Sequence, residues 1–281
     1  MNLGAHISIA NGLELIFERA ARVTANALQI FVTNQNQWST RQPKTDEITK
    51  FFQKRAEFKP FSLIAHSRYL INLCSNDQDK ENKSLKAFFE ELQLCELLNI
   101  PYLVLHPGSY LDQTEEWGLN KIVANIDLTI RKLGELKTVV LLETTAGQGT
   151  NLGYRFEQLD FIMKNSQFPQ NLAVCFDTCH AFAAGYDLKS NYDQVFEEFD
   201  KIIGLSRIRA FHLNDTKKGL ATKVDRHEHI GKGELALEPF RKLINDQRFT
   251  NIPMILETPK GEDDEMDIVN LQTLRNLREQ G

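Results

Sequence analysis

The sequence predicts a (β/α)8 TIM barrel, in which parallel strands form an inner ring and helices form an outer one. Three observations predict this α/β fold: eight short apolar runs, amphipathic stretches between them, and no linker or change in composition along the 281 residues. Barrels of roughly 250 residues form one domain. We therefore expect a single domain over residues 1–281.

The strand prediction rests on apolar runs, because parallel strands that are covered on both faces are apolar throughout. The runs lie in chain order at residues 3–7, 27–32, 62–66, 102–106, 139–143, 172–177, 208–213 and 253–257. An open doubly wound sheet is the alternative arrangement. However, the GxGxxG motif that is typical of that fold does not follow the first run.

The helix prediction rests on apolar side chains at helical spacing, which share one face of the helix. The three stripes are Leu13, Ile16, Phe17, Ala20 and Ala21, then Leu85, Phe88, Phe89 and Leu92, and finally Leu119, Ile122, Val123, Ile126 and Ile130. Each stripe falls between two predicted strands. Strand and helix therefore alternate, as a parallel sheet requires.

Composition is that of an ordinary globular protein, with 42% apolar and 25% charged residues. No apolar run approaches the roughly 20 residues that span a bilayer, and the start of the chain shows no signal-peptide pattern. The cysteines are Cys74, Cys95, Cys175 and Cys179, and none forms a CxxC pair. We therefore expect a cytoplasmic protein with reduced, packed thiols and no membrane partner.

Six predicted strands carry, at or next to their ends, a side chain that binds metal ions: His66, His106, Glu143, Asp177, His212 and Glu257. Successive members are 34 to 45 residues apart, about one strand–helix unit. All six therefore belong to the C-terminal rim, where the active sites of barrels lie. A single histidine in such a place is usually a hydrogen-bonded structural residue. Six donors at one rim indicate a metal site.

Three further donors follow these strands. His180 lies just after the sixth strand, and Asp225 and His227 lie two residues apart in a long loop after the seventh. Five histidines and four carboxylates suit zinc or manganese, and nine donors with one shared carboxylate suffice for three ions. Three divalent ions would outweigh the four carboxylates, so a chain of net charge −5 can still attract a phosphodiester to this rim.

Two loops at this rim are distinctive. One is Asn34-Gln35-Asn36-Gln37-Trp38, after the second strand, and the other covers residues 214–232. The second loop is basic, with Lys217, Lys218, Lys223, Arg226 and Lys232. A charged loop is usually solvated surface, and nucleic-acid binding is the alternative that the loop itself leaves open.

Nine short motifs occur in order along nearly the whole chain. They are GAH at 4–6, NQ and QW within 34–38, YLINL at 69–73, HPGS at 106–109, ETTAGQG at 143–149, DTCHAFAAGYD at 177–187, HLND at 212–215, VDRH at 224–227 and ILET at 255–258. In these motifs the sequence resembles the endonuclease IV family of zinc-dependent abasic-site endonucleases. All nine candidate metal-binding residues fall on positions that match the family pattern.

The resemblance implies three zinc ions, with manganese as the alternative at one site. The first would be held by His66, His106 and Glu143, the second by Glu143, Asp177, His212 and Glu257, and the third by His180, Asp225 and His227. The implied reaction is hydrolysis of the phosphodiester 5′ to an abasic nucleotide, which leaves a 3′-hydroxyl and a 5′-deoxyribose phosphate, with trimming of blocked 3′ ends. Glu143 and Glu257 are the catalytic candidates, and Glu257 would orient or deprotonate the nucleophile.

The resemblance also implies a partner, duplex DNA that contains abasic sites or blocked 3′ ends, bound by a monomer. The damaged nucleotide must leave the helix, and Tyr69 and Leu70 occupy positions from which the family inserts side chains into the base stack. The other predicted DNA contacts are Gln35, Trp38, Lys217, Lys223 and Arg226. A small buried patch over the barrel mouth is the alternative for Tyr69 and Leu70.

Two positions depart from the family pattern. Asn36 lies where a basic residue is expected in the inserting loop. Glu228 follows His227 where relatives often have a histidine, which His229 would partly replace. Neither position is among the nine donors, so the departures concern the grip on DNA and not the chemistry.

Two other functions are open at this point. A metal-dependent sugar isomerase or epimerase on a similar barrel also places His, Asp and Glu at strand ends. Such an enzyme needs one or two metal ions, and it has no use for Tyr69, Leu70 or the basic loop. A non-catalytic protein that binds damaged DNA would be free to lose some of the nine donors.

Overall fold

Eight parallel strands form a closed barrel in a computed structural model that describes residues 2–58 and 62–278. The strands are β1 Leu3–His6, β2 Ala27–Phe31, β3 Ser62–His66, β4 Tyr102–Leu105, β5 Val139–Glu143, β6 Leu172–Asp177, β7 Ile208–Leu213 and β8 Met254–Leu256. Each strand pairs with its neighbours in the chain, and β8 pairs with β1 to close the ring. The predicted barrel is confirmed. The alternative of an open sheet is wrong, because an open sheet has two edge strands that do not pair with each other, whereas β8 pairs with β1.

At least one helix follows each strand, with two after β6, and the helices cover the barrel. They are α1 Leu15–Arg22, α2 Thr45–Phe58, α3 Gln78–Leu97, α4 Glu115–Leu133, α5 Phe156–Asn165, α6 Thr178–Ala184, α7 Tyr192–Ile202, α8 Glu238–Asn245 and α9 Glu265–Asn276. The predicted stripes contribute to the buried faces of α1, α3 and α4. Leu13 precedes α1, Ala21 is exposed, and Leu85, Phe89 and Val123 are half-buried. Within the described ranges, no helix has the length and apolar character that a membrane span requires.

Strand ends differ from the prediction by one residue at four strands. β1, β2 and β4 end one residue earlier than predicted, and β8 is one residue shorter at each end. His106 and Glu257 therefore follow their strands instead of ending them. The cause is local at both places, because Pro107 has no N–H to continue a ladder and the Glu257 N–H donates to the Asn214 side chain at 2.9 Å.

The barrel interior is filled by small and branched side chains that the strands contribute in turn: Ala27, Ile64, Val104, Leu141, Ala173, Cys175, Ala210 and Ile255. A larger core lies between the strands and the helices. Gly4 permits the close approach of β1 to β2, because a Cβ there would lie 1.5 Å from the Ala27 carbonyl oxygen. Apolar side chains thus fill the barrel interior, and the polar side chains described below lie at its C-terminal rim.

Candidate metal centre

Nine side chains converge on the C-terminal rim of the barrel. Six of them end, nearly end or directly follow a strand: His66, His106, Glu143, Asp177, His212 and Glu257. His180 lies in the first turn of α6, and Asp225 and His227 lie in the long loop after β7. A two-residue antiparallel ladder holds this loop against the rim, with Thr216 opposite His227. These are the nine residues that the sequence analysis predicts as metal ligands.

The first group comprises His66, His106 and Glu143. Both histidines point Nε2 at one oxygen of the Glu143 carboxylate, Oε2, at 3.1 Å from His66 and 2.9 Å from His106. Glu143 is fully buried, whereas the His106 side chain is 33% exposed. The group is therefore open on the His106 side, where a substrate can approach.

The second group comprises Glu143, Asp177, His212 and Glu257. Nδ1 of His212 lies 2.9 Å from Oε1 of Glu143, 3.2 Å from Oε2 of Glu257 and 3.8 Å from Oδ2 of Asp177. Glu143 thus directs one carboxylate oxygen into each of the first two groups. This arrangement suits a carboxylate that is shared by two cations.

The third group comprises His180, Asp225 and His227. The Asp225 carboxylate lies 3.1 Å from Nε2 of His180 and 3.3 Å from Nε2 of His227. His180 is fixed by the start of α6, because its backbone N–H donates to Oδ1 of Asp177, the N-cap residue, at 2.7 Å. The backbone N–H of Asp225 donates to the side chain of Gln148 at 3.1 Å.

The donor atoms of each group lie within 4.8 Å of one another, the spacing that a single cation requires. Asp177, Cys179 and His227 also meet this spacing. Burial raises the pKa of the Cys179 thiol to about 12, so this thiol stays protonated at neutral pH and is a poor ligand. The histidine and carboxylate groups fit a divalent ion better.

The imidazoles are oriented as metal ligands usually are, with the outer ring nitrogen hydrogen-bonded to an oxygen. Nδ1 of His66 lies 2.6 Å from the Ser67 carbonyl oxygen, and Nδ1 of His180 lies 2.9 Å from that of Thr144. Nδ1 of His227 lies 3.1 Å from the carbonyl oxygen of Glu257. When it is neutral, a ring that donates from Nδ1 presents an unprotonated Nε2 to its group, and a bound cation would take the place of the proton there, so the donor set fits metal ions.

Electrostatic interactions at the rim favour the ionised form of Glu143 and Asp225, whereas burial raises the pKa of the Asp177 carboxyl. Burial alone would raise the pKa of Glu143, but the imidazoles of His212 and His106 outweigh it and hold that pKa well below its usual value. Burial also opposes ionisation of Asp225, yet His180 lowers the pKa of that carboxyl to about 2. Ionised carboxylates at neutral pH are the form that binds a cation.

Two polar residues that contact the candidate ligands were not predicted from the sequence to have this role. Gln29 on β2 is fully buried and contacts both His212 and Glu257. Asn214 donates to Oδ2 of Asp177 at 2.7 Å and accepts from the backbone N–H of Glu257. A signal was present for Gln29, because a glutamine interrupts an otherwise apolar strand, Ala27–Phe31.

Of the predicted DNA contacts, Tyr69 lies beside the metal centre. Tyr69 is 62% exposed, and its ring centroid lies 5.7 Å from that of His66 and 6.2 Å from that of His106. Leu70 and Gln35 are half-buried. Trp38 packs partly on the core. The Tyr69 ring thus stands above the first group instead of forming a buried patch.

The basic residues of the long loop are exposed. Lys217 lies 3.9 Å from Glu228, Lys223 stacks on the Tyr154 ring at 4.5 Å, and Arg226 donates to the carbonyl oxygen of Asp225. At the departures from the family pattern, Asn36 donates its backbone N–H to the Asn34 side chain, and Nδ1 of His229 lies 3.1 Å from the Asn270 amide. His229 belongs to none of the metal-binding groups found in the described part of the chain.

Comparison with known proteins gives a consistent result. Residues 17–277 match the family described as "Xylose isomerase-like TIM barrel". A protein of Geobacter sulfurreducens named "Probable endonuclease 4" is 51% identical over 277 residues, which cover 98% of this chain and 94% of the relative. The crystal structure of endonuclease IV from Thermus thermophilus matches with a TM-score of 0.89 and 32% identity, over 99% of this chain and 98% of that one.

A protein that is named for its likeness to a sugar epimerase shares the fold more distantly. The crystal structure of a D-tagatose 3-epimerase-like protein matches with a TM-score of 0.71 and 18% identity, over 99% of this chain and 97% of that one. At this identity the likeness concerns the fold alone. The barrel is therefore common to both enzyme classes, and the residues at the rim must distinguish them.

Proposed function

Because this chain belongs to the endonuclease IV family, a family of metal-dependent DNA-cleaving hydrolases, we propose that its nine rim residues hold three zinc ions for the repair of abasic DNA. The proposed reaction is hydrolysis of the phosphodiester 5′ to an abasic nucleotide. The same site would trim blocked 3′ ends, because these also present a phosphate beside a terminal sugar.

The observation that carries this proposal is the position of the Glu143 carboxylate between two ligand groups. Oε2 lies 2.9 Å from His106 in the first group, and Oε1 lies 2.9 Å from His212 in the second. Glu143 would therefore contribute a ligand to the ions of both groups, and a pair of metal ions is used by many enzymes that cleave phosphodiesters. A third group next to this pair supports phosphodiester cleavage over sugar isomerisation, which needs one or two ions.

We assign the ions from the donor chemistry of each group. Two histidines and one carboxylate, as in the first and third groups, are typical of catalytic zinc sites with an open position. The second group has three carboxylates and a single histidine, His212, and its oxygen-rich set makes it the place for manganese if one ion is replaced. We therefore propose zinc at all three sites, with manganese as the alternative at the second.

When bound, the ions would lower the pKa of a water molecule and neutralise charge on the phosphate. Glu257 would orient that water and accept its proton, a role supported by the hydrogen bond that Gln29 donates to its carboxylate at 2.6 Å. The water oxygen would form the new bond to phosphorus while the bond to the 3′-oxygen breaks, and the departing 3′-oxygen would take a proton from solvent. The products are a 3′-hydroxyl and a 5′-deoxyribose phosphate.

Access to this phosphodiester requires the abasic nucleotide to leave the helix. We propose that Tyr69 and Leu70 enter the gap in the stack, because Tyr69 is exposed beside the first group. Gln35, Trp38, Lys217, Lys223 and Arg226 would contact the flanking DNA, since they lie on the two loops that border the rim. A phosphate backbone between these loops would face mainly cationic side chains.

The proposal also covers the domain organisation, the oligomeric state and the location of the protein. We take residues 1–281 as one domain, of which residue 1, residues 59–61 and residues 279–281 lie outside the described ranges. We propose a monomer, since all nine donors come from one chain. We propose a cytoplasmic location, because the substrate is genomic DNA and the four cysteines are buried and unpaired.

The proposed reaction is tested with a duplex that carries one tetrahydrofuran abasic analogue. The zinc-loaded protein should cut this strand 5′ to the analogue and leave a 3′-hydroxyl, whereas a lyase needs an aldehyde at C1′ and cannot cut it. Glu143→Gln should abolish the cut, and Glu116→Gln, at an exposed position of α4, should leave it unchanged. Absence of the cut, or conversion of a free ketose instead, would overturn the proposal.

A further inference from the structure

A buried amide lies directly beneath the second ligand group. Gln29 is in the middle of β2, pairs in register with His6 and Ile64 on the adjacent strands, and is fully buried. Burial of an amide costs several kcal/mol, on the order of 2–7, unless its hydrogen bonds are made. The Gln29 side chain makes them to His212 on β7 and to Glu257, which follows β8.

Both ends of this amide contact the second group. Nε2 of Gln29 donates to Oε1 of Glu257 at 2.6 Å, and Oε1 of Gln29 lies 2.8 Å from Nε2 of His212. The remaining N–H of the amide points at Nδ1 of His6, 3.0 Å away. One side chain thus connects a carboxylate and an imidazole that belong to the same group.

The chemistry of these contacts fixes the state of His212. An ionised carboxylate accepts hydrogen bonds and donates none, so the Gln29 atom that faces Glu257 must be the NH2. The amide oxygen therefore faces His212, whose Nε2 must carry the hydrogen. Nδ1 is then free to bind a cation, and it is Nδ1 that lies 2.9 Å from Glu143 and 3.2 Å from Glu257.

We propose that Gln29 is a positioning residue that orients His212 and Glu257 together toward the cation of the second group. The inference rests on the proposed function, which supplies that cation. His66, His180 and His227 are oriented by backbone carbonyl oxygens, which no substitution removes. At His212 the acceptor is a side chain, so this second group depends on the identity of one residue that is not itself a ligand.

The test is the release of zinc from the loaded protein to a chromophoric chelator. Gln29→Met keeps the size of the side chain and removes both contacts, so one of the three ions should leave about 10- to 100-fold faster, the usual effect of losing such a support. The other two ions should leave at the wild-type rate. Ile64→Val, a buried change in the same layer, is the packing control and should alter no release rate.

A second variant covers the case in which Gln29→Met does not fold. Gln29→Glu keeps an acceptor for His212 but places a carboxylate against Glu257, so it should also speed the release of one ion. Unchanged release in either folded variant, or equal acceleration of all three ions, would overturn the inference. A wild-type protein that binds no zinc would refute the proposed function instead, and the two failures are therefore distinct.

Discussion

Nε2 of His180 lies 3.1 Å from Oδ2 of Asp225, a contact that joins the first turn of α6 to the long loop after β7. The other oxygen of Asp225 lies 3.3 Å from His227 on the same loop. The Asp225 side chain is 41% exposed, whereas Glu143 is fully buried. The third group is therefore the most accessible of the three, and we expect that its loop residues can be changed without disturbing the barrel.

Replacement of both loop ligands should remove one ion selectively. In the double variant Asp225→Ala and His227→Ala, zinc content should fall by about one ion per chain, because the first two groups keep all their donors. Elemental analysis after gel filtration measures this content. Glu228→Gln on the same loop is the control and should retain the full content. Loss of two or more ions would show that the groups are not separate.

Tyr69 and Leu70 should matter more for duplex DNA than for DNA ends. Unstacking a nucleotide costs a few kcal/mol, and each 1.4 kcal/mol corresponds to about tenfold in rate. In the double variant Tyr69→Ala and Leu70→Ala, incision of an internal abasic site should fall roughly 10-fold or more at unchanged zinc content. Removal of a 3′-phosphate from a frayed end should fall by a smaller factor.

The comparison of the two substrates decides the role of this pair. Leu128→Ala, at an exposed aliphatic position of α4, is the matched control and should affect neither rate. Equal losses on both substrates would mean that Tyr69 and Leu70 support the rim and do not enter the stack. A sharp fall in melting temperature of the double variant would point the same way.

A buried ion pair next to the rim should be costly to break from one side. Nε of Arg68 donates to Glu91 at 2.7 Å, and its guanidinium also donates to the Gln37 carbonyl oxygen and the Thr40 hydroxyl. Arg68→Met leaves Glu91 buried without its partner, so the free energy of unfolding should fall by about 3–5 kcal/mol. Urea unfolding of the zinc-loaded protein measures this loss.

The double variant Arg68→Met with Glu91→Leu separates the ion pair from the loop contacts. It should recover most of the lost free energy, because no buried charge remains without a partner. If the double variant is as unstable as Arg68→Met alone, the contacts to Gln37 and Thr40 account for the loss.

Asp267 should make folding stability depend on pH. Burial raises the pKa of its carboxyl to about 6 from 3.8, although Lys260 lies 2.6 Å away. A raised pKa means that the folded state binds the proton of Asp267 more tightly than the unfolded state does. The stabilisation that this proton provides is fully present below about pH 4 and is lost as pH rises through about 6.

Asp267→Asn removes this dependence. The two proteins should have similar unfolding free energies near pH 4, and by pH 7 the variant should be more stable by about 3 kcal/mol, from 1.36 kcal/mol per pKa unit. Urea unfolding of both proteins at several pH values measures the difference, in which the groups they share cancel. A difference that does not change with pH, or that favours the wild type at pH 7, would contradict the role given to Asp267.

The sequence predicted the part of the site that follows from periodicity. His66, Glu143 and Asp177 end their strands as expected, because strand–helix units of similar length place strand ends on one rim. Asp225 and His227 were instead predicted from their two-residue spacing in the long loop and from the family resemblance. Their approach to the rim depends on the ladder between Thr216 and His227, which periodicity does not reveal.

The supporting contacts were less accessible to sequence reasoning. Gln29 meets His212 because barrel closure brings β2 and β7 together across the interior, a relation that has no local signal. Arg68 and Glu91 lie on β3's loop and α3, and their pairing requires both elements to be in place. Such contacts depend on tertiary structure. The one local signal was the polar residue Gln29 in the otherwise apolar strand β2.

The most direct test of the proposed three-ion centre is the number of zinc ions per chain. The wild-type protein, reconstituted with zinc and freed of excess by gel filtration, is analysed by inductively coupled plasma mass spectrometry against protein concentration. The nine donors in three groups predict about three ions. A reproducible value of one zinc ion per chain would contradict the account.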